Sequence, residues 1–355
     1  MADTVRYGLI GTGMMGLEHV RNLALVPGAQ LVAAADPDEG SRKWATLTGG
    51  REVALFDDYR RMLREVRLDA AIVATPNFTH VSVLDDLLPT GMHILCEKPL
   101  CTTLDDCRRI VDAVARRSGV FWTGMEYRYS PPVTRFVSEV HGGTAGNVKM
   151  LAIREHRYPF LKKVDDWNRF NRNTGGTLVE KSCHHFDLMR HLLRSEPARV
   201  FASGGMDVNH LDESYDGETP DILDNALVIV DFADGARALL DLCMFAEGSR
   251  NQTELAATGD AGKVECLMPA GDIITGRRAP RSIDTEHVSV DESVEKAGFH
   301  HGATYFELMA FQRAIVDGGV VEVTAMDGLR AVAMGIAAQR SIDEGRPVQM
   351  SEFGL

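Results

Sequence analysis

Short apolar runs and longer amphipathic stretches alternate through the first third of the chain. "VRYGLI", "AQLVAAA", "REVALF", "LDAAIVATP", "MHILCEKPL" and "VFWTGMEYR" read as strands. The stretches between them carry apolar residues at helical spacing, as at Leu17, Val20, Leu23 and Leu25, or Cys107, Ile110, Val111 and Val114. Strands alternating with helices predict parallel β-α-β units in a doubly wound sheet with right-handed crossovers. The boundary of this domain is expected at 1–123.

From residue 124 the rhythm changes. "NVKMLAIREHRY", "ARVFASGGMD", "NALVIVDFADG", "ARALLDLCMFA", "NQTELAATGDAG" and "KVECLMPAGDIITG" read as successive strands, with Asp234-Gly235 as a hairpin turn. A helical stretch lies between the first two. Residues 124–355 are therefore expected to form an α+β domain built on a mostly antiparallel sheet. "GMDVNHLDESYDGETPD" and "RRAPRSIDTEHVSVDES" are expected to loop out. A small-residue-rich helix over about 324–345 is expected to return towards the first domain.

Composition changes this picture little. The 355 residues suit two domains, and 45% hydrophobic with 25% charged residues is ordinary for a globular protein. A formal net charge of −13 argues against nucleic acid or an anionic membrane as the main partner. The six cysteines, three of them in C-x4-C-x5-C, match no metal-ligand spacing. The start, "MADTVRYGLIG", has no basic-then-apolar leader, and no apolar run approaches a membrane span, so a cytoplasmic location is expected.

Candidate chemistry begins at the first strand, which runs directly into Gly11-Thr12-Gly13-Met14-Met15-Gly16 and then a helix. Strand, G-x-G-x-x-G, helix is the dinucleotide fingerprint in the context it requires. Gly11 permits the tight turn, Gly13 admits a pyrophosphate, and Gly16 lets the helix pack on the strand. Asp36 ends the second strand, twenty residues beyond Gly16. A carboxylate there accepts from ribose hydroxyls and repels a 2′-phosphate, which favours NAD while leaving NADP open. Other strand ends carry Thr75-Pro76-Asn77 and Glu97-Lys98-Pro99, and ligands of such sheets sit beyond these ends. Lys98 there has the charge to bind a substrate oxygen and stabilise a developing alkoxide, or simply to pair with a carboxylate at the surface.

The second domain contributes "EKSCHHFDL". On one continuous helix Glu180, His184, Asp187 and His191 share a face, while Cys183, Phe186, Met189 and Leu193 form an apolar stripe. Three readings are open: a solvated polar face, a metal site using Glu180, His184 and Asp187, or an acid–base site with His184 as proton acceptor.

"YGLIGTGMMG", "AIVATPNFTH", "CEKPL", "GGTLVEKSCHHFDLMRHL" and "AMDGLRAVAMGIAAQRSIDEGRPV" together resemble the glucose–fructose oxidoreductase, inositol dehydrogenase and rhizopine catabolism family, over essentially the whole chain. The resemblance implies a Rossmann domain, a second domain with a large open sheet, and dimers or tetramers formed through that sheet. It makes Lys98 the catalytic lysine and His184 the catalytic histidine, with Glu180 standing where the family has aspartate. His185 stands where aspartate is frequent. The family pattern implies that Thr75, Asn77 and His80 line the cofactor and that Glu97 meets the nicotinamide ribose. Arg128, Tyr158, Trp167, Arg169, Lys181 and His185 are candidates for the substrate wall. The expected activity is NAD-dependent oxidation of a ring carbinol in a sugar, glycoside or cyclitol, without a metal. The alternatives are a glycosidase that retains its NAD and a non-catalytic dinucleotide sensor.

Overall fold

The alternating runs of the first third fold as β1 (Val5–Ile10), α1 (Met14–Leu23), β2 (Ala29–Ala35), α2 (Glu39–Gly49), β3 (Ala54–Phe56), α3 (Tyr59–Glu65), β4 (Ala70–Val73), α4 (His80–Leu87), β5 (His93–Glu97), α5 (Leu104–Val114) and β6 (Phe121–Gly124). The structure, a computed structural model, describes residues 4–49 and 53–355. Arg51 and Glu52 of the expected third strand lie outside them. The six strands pair in parallel in the order β3-β2-β1-β4-β5-β6, so the strand order reverses between β1 and β4. Every residue of β4 is buried, and four of the five in β5, as a sheet covered on both faces requires.

The next part of the chain supplies α6 (Pro131–His141), β7 (Val148–His156), α7 (Asn171–Thr174), α8 (Thr177–Glu180), α9 (Cys183–Leu193), β8 (Pro197–Gly205), β9 (Asn225–Phe232), β10 (Arg237–Cys243), β11 (Thr253–Gly259), β12 (Gly262–Met268), β13 (Asp272–Arg278) and β14 (Arg281–His287). Then come α10 (Glu292–Glu295), α11 (Ala303–Val316), α12 (Ala325–Glu344) and β15 (Val348–Gln349). The second sheet has nine strands in the order β14-β13-β12-β11-β7-β10-β9-β8-β15. It is antiparallel except where β7 and β10 run parallel. Inward residues alternate with exposed ones along β9 and β10, so one face packs beneath helices and the other is open.

As expected, a helical stretch, α7–α9, separates β7 from β8, and β10 and β11 flank β7. Two other expectations change. "KVECLMPAGDIITG" is the hairpin β12–β13, turned where Pro269 lacks an amide donor and Gly271 takes φ +76°. "RRAPRSIDTEHVSVDES" is not wholly a loop. It contains the edge strand β14, whose mostly exposed polar side chains hide the period of two.

The chain clusters into two compact units. One compact unit comprises residues up to Ser130 together with Val290–Leu329, and the other Pro131–Ser289 with Arg330–Leu355. The returning segment packs deeply in the first unit: the Tyr7 hydroxyl donates to Gln312 at 2.5 Å, and Phe311 lies between the Tyr7 and Trp122 rings. α12 starts in the first unit, with Gly328 against Leu100 and Thr123. It continues in the second, where Gly335 lies against Leu178.

Candidate active site

The dinucleotide motif of the first unit is built as its glycines require. Gly11 has φ +91°, and a Cβ there would sit 2.5 Å from the Ala74 carbonyl oxygen. A Cβ at Gly16 would come within 2.2 Å of the Gly11 oxygen, so α1 closes on the loop only because that atom is missing. A Cβ at Gly13 would meet nothing within 4 Å, which leaves open space where a ligand backbone would pass. Leu17 makes the first intrahelical bond of α1, to Gly13, and the first-turn amides of Met14, Met15 and Gly16 have no intrahelical acceptor. The Thr12 hydroxyl is buried and makes no hydrogen bond within the chain.

Asp36 stands directly after β2. One carboxylate oxygen accepts from the Thr12 amide at 2.7 Å and the other from the Asp38 amide at 2.9 Å. A carboxylate has lone pairs beyond these two, so the glycine loop and a ribose hydroxyl can share it. The open space at Gly13, the orphan donors of α1 and the anchored anion at β2 fit NAD. Substituting Asp36→Asn keeps an acceptor for Thr12 but removes the charge that repels a 2′-phosphate. The NAD:NADP affinity ratio is expected to fall about tenfold, equivalent to about 1.4 kcal/mol. Fluorescence titration with the two cofactors measures it, and an unchanged ratio would remove Asp36 from the discrimination.

The other strand ends are tied together from behind. His80 is fully buried, its Nδ1 2.8 Å from the Pro99 carbonyl and its Nε2 3.0 Å from that of Thr75. Burial holds this imidazole below its ordinary pKa. A neutral imidazole carries one N–H and donates to one of these carbonyls, so His80, expected to line the cofactor, sits as a brace between the Thr75-Pro76-Asn77 and Lys98-Pro99 turns. Thr75 accepts from the Thr79 hydroxyl at 2.8 Å, and Asn77 is buried. The Lys98-Pro99 peptide is cis, and Lys98 is half-buried. Glu97 is buried, with His19 Nε2 at 2.7 Å and the Lys98 amide at 3.2 Å.

In the second unit the "EKSCHHFDL" stretch is not one helix. α8 ends at Glu180, Lys181 and Ser182 turn, and α9 starts at Cys183. Nor is its polar face solvated: Glu180, Lys181, His184, His185 and Asp187 are all at most 5% exposed. The missing explanation is Glu155, on β7. Lys181 Nζ lies 2.9 Å from one of its oxygens and His185 Nε2 3.5 Å from the other, while the Thr253 hydroxyl donates at 2.5 Å and the Gln252 amide at 3.2 Å. Burial alone would raise the Glu155 pKa. The Lys181 ammonium and the surrounding donors outweigh it and hold the carboxyl well below its usual range. Lys181 and His185, expected at the substrate wall, both face Glu155, which pins the turn between Glu180 and His184.

Glu180 lies 3.4 Å from Lys163 Nζ, which also stands 4.5 Å above the Trp167 ring. Tyr158 is stacked by the Arg157 guanidinium and is 41% exposed. Arg169 is buried, its Nε donating to Glu213 at 2.8 Å, and Glu213 also holds Tyr215 and His210. Arg128 belongs to the first unit, where it donates to the Glu322 carbonyl at 3.0 Å and faces Asp327. Arg128 and Arg169 therefore have structural partners not foreseen for substrate-wall residues. Among the described residues no group of three or more His, Cys, Asp or Glu side chains is arranged to hold a metal ion.

This geometry agrees with comparisons to known proteins. Residues 5–125 match the description "Oxidoreductase family, NAD-binding Rossmann fold", and residues 138–350 match "Oxidoreductase family, C-terminal alpha/beta domain". The chain belongs to the glucose–fructose oxidoreductase, inositol dehydrogenase and rhizopine catabolism family of oxidoreductases. It is 27% identical to the myo-inositol 2-dehydrogenase of Thermotoga maritima over 356 residues, 98% of this chain and 99% of that protein. It is 26% identical to the scyllo-inositol 2-dehydrogenase (NAD(+)) of Bacillus subtilis, over 99% and 97% of the two chains. Levoglucosan dehydrogenase, solved in complex with NADH and levoglucosan, shares the fold with a TM-score of 0.86, at 21% identity over 98% of this chain and 99% of that one.

Proposed function

We propose that the protein is an NAD-dependent dehydrogenase acting on a ring carbinol of a sugar, glycoside or cyclitol, with inositols the first class to try. The observation that carries this reading is the buried Glu180–His184 stretch in a chain whose Rossmann unit ends β5 in Glu97-Lys98-Pro99. Full-length relatives that act on inositols support the substrate class. NAD supplies the hydride acceptor.

The chain's own residues would do the rest. His184 takes the hydroxyl proton, a task that a neutral imidazole can perform. Glu180, one residue before the turn that Glu155 anchors, orients the imidazole. Lys98 donates to the substrate oxygen and stabilises the charge that develops as its proton leaves. Gly11 to Gly16, Asp36, Thr75, Asn77 and Glu97 hold the cofactor. Trp167 and Tyr158 offer ring faces to the polyol.

The assembly we propose is a homo-oligomer through the open face of the second sheet, where Met150, Phe201, Leu227, Ile229 and Leu239 are between 37% and 63% exposed. An apolar face of this kind suits an interface. A reducing cytoplasm suits the six cysteines, all present as free thiols. No helix among the described residues is long and apolar enough to cross a membrane.

Reduced-nicotinamide absorbance with NAD, across aldoses, glycosides, inositols and sugar acids, tests the activity. Signal within one group supports it. Cleavage of a glycoside with no net reduced cofactor would instead mark a cofactor-retaining glycosidase. Silence across the panel with cofactor bound would mark a sensor.

A further inference from the structure

The first unit buries several carboxyls, one of them at the end of β5. Glu18, Glu97, Glu126 and Glu307 are each at most 4% exposed. Three of them have partners. Glu97 meets His19, Glu126 lies 3.6 Å from His300 Nε2, and Glu18 accepts from the Phe299 and His300 amides, the His300 ring and the Thr304 hydroxyl at 2.8–3.3 Å.

Glu307 differs. It is 0% exposed, on α11, and neither of its carboxyl oxygens makes a hydrogen bond of normal geometry. The helix packs against the 3-10 turn Glu126–Tyr129 that follows β6. Burial pushes the Glu307 carboxyl well above its ordinary range, and the Glu126 and Glu97 carboxyls push it the same way. The Trp122 indole and the Met125 amide only partly offset this.

Two interacting carboxyls in a dry site do not ionise independently; they hold one proton between them. The groups facing them can be named. α1 contributes Glu18 and His19, and β5 contributes Glu97 ahead of Lys98. The 3-10 turn adds Tyr129, whose hydroxyl donates to Glu322 at 2.9 Å, and Arg128, which faces Asp327. His300 connects the cluster to solvent: its side chain is 27% exposed, with Nδ1 3.0 Å from Glu18 and Nε2 3.6 Å from Glu126.

A dinucleotide laid across the strand ends with its adenosine ribose at Asp36 has its nicotinamide half over the β4 and β5 ends. That half carries the only charge that changes between the two cofactor forms. We propose that Glu126 and Glu307 share one proton and sense this charge, releasing the proton through His300 when the oxidised, cationic cofactor is bound and keeping it with the reduced, neutral one. During oxidation of a carbinol, the proton lost from the hydroxyl is then balanced by uptake at the pair as the ring charge disappears. The protein holds that proton until the reduced cofactor leaves.

The inference rests on the NAD-dependent reading but not on which polyol is oxidised, so cofactor binding alone tests it. Titration calorimetry in buffers of different ionisation enthalpy gives the protons exchanged per cofactor bound. Wild type is expected to release more protons on binding NAD than on binding NADH. Its affinity for NAD relative to NADH is expected to rise with pH, at most tenfold per pH unit for one linked proton. In Glu307→Gln, isosteric with the protonated acid, the difference should vanish and the affinity ratio should become flat. Glu126→Gln removes the other half of the pair and gives the same expectation if the first variant does not fold. Equal proton exchange for the two cofactor forms in wild type, or an undiminished difference in the folded Gln variant, overturns the inference and leaves the substrate reading standing. Failure of wild type to bind either cofactor form would overturn the NAD-dependent reading itself, and the inference with it.

Discussion

Replacing Lys98 by methionine is expected to lower kcat by about two to three orders of magnitude, the usual effect of deleting one donor to a developing oxyanion. NAD binding should persist. The expectation follows from position: Lys98 succeeds the last residue of β5, at the end of a parallel sheet where ligands gather. Its main chain is held by Glu97, whose carboxylate accepts the Lys98 amide, and by the His80 ring beneath the adjoining turn. Methionine keeps the length and apolar stem of lysine and loses only the ammonium. A matching loss in kcat and kcat/KM would mean that the ammonium acts in the transition state, whereas a rise in KM alone would reduce Lys98 to a binding residue. Steady-state kinetics with a separate NAD titration measures both, and turnover near wild type would remove Lys98 from the chemistry.

Glu155→Gln is expected to be the most damaging single substitution for stability. The carboxylate is fully buried and is the counter-charge of Lys181, itself 5% exposed. Gln leaves an ammonium in a dry site, and breaking one side of a buried pair typically costs about 3–5 kcal/mol. For a unit of this size that lowers Tm by about 6–20 °C. The double substitution Glu155→Gln with Lys181→Met removes both charges and should recover most of the loss. The pair also fixes the pH response. The Glu155 pKa is lower in the folded state than its unfolded value of about 4.3. Its contribution is therefore complete above that value and lost as pH falls through the folded pKa. Thermal unfolding followed from pH 7 downward should show this loss in wild type and not in the double variant. A Tm for Glu155→Gln that matched wild type would contradict the assignment.

What was legible in the chain was what local spacing encodes. Gly11, Gly13, Gly16 and Asp36 sit within one β-α-β unit, and every geometric need of that unit falls on a residue type with a reason to be there. Six strand positions in the first unit followed from apolar runs for the same reason. Long-range contacts leave no such local mark. The segment Val290–Leu329 joins the first unit through contacts such as Tyr7 with Gln312, 305 positions apart, and no local pattern announces a return over that distance. β14 is an edge strand with polar side chains, so its periodicity is invisible.

The candidate residues show the same division. His184, Lys98 and Glu180 stood out through their motifs, but the burial of their surroundings did not, because a polar helix face normally means solvent. Here the partner that allows burial, Glu155, lies on β7, 26 positions before Lys181. The place of His80 between the Thr75 and Pro99 carbonyls is likewise absent from any local spacing. Long-range pairing of buried ions leaves no signature in spacing.

The substrate panel becomes a direct test of hydride transfer when its best polyol is labelled with deuterium at the carbinol carbon. Incubation with NAD, followed by mass analysis of the cofactor, reports where the label goes. Direct hydride transfer gives reduced cofactor heavier by one deuterium and a ketone product free of label at that carbon. Label lost to water, or a polyol transformed while the cofactor ends unchanged and unlabelled, would contradict it.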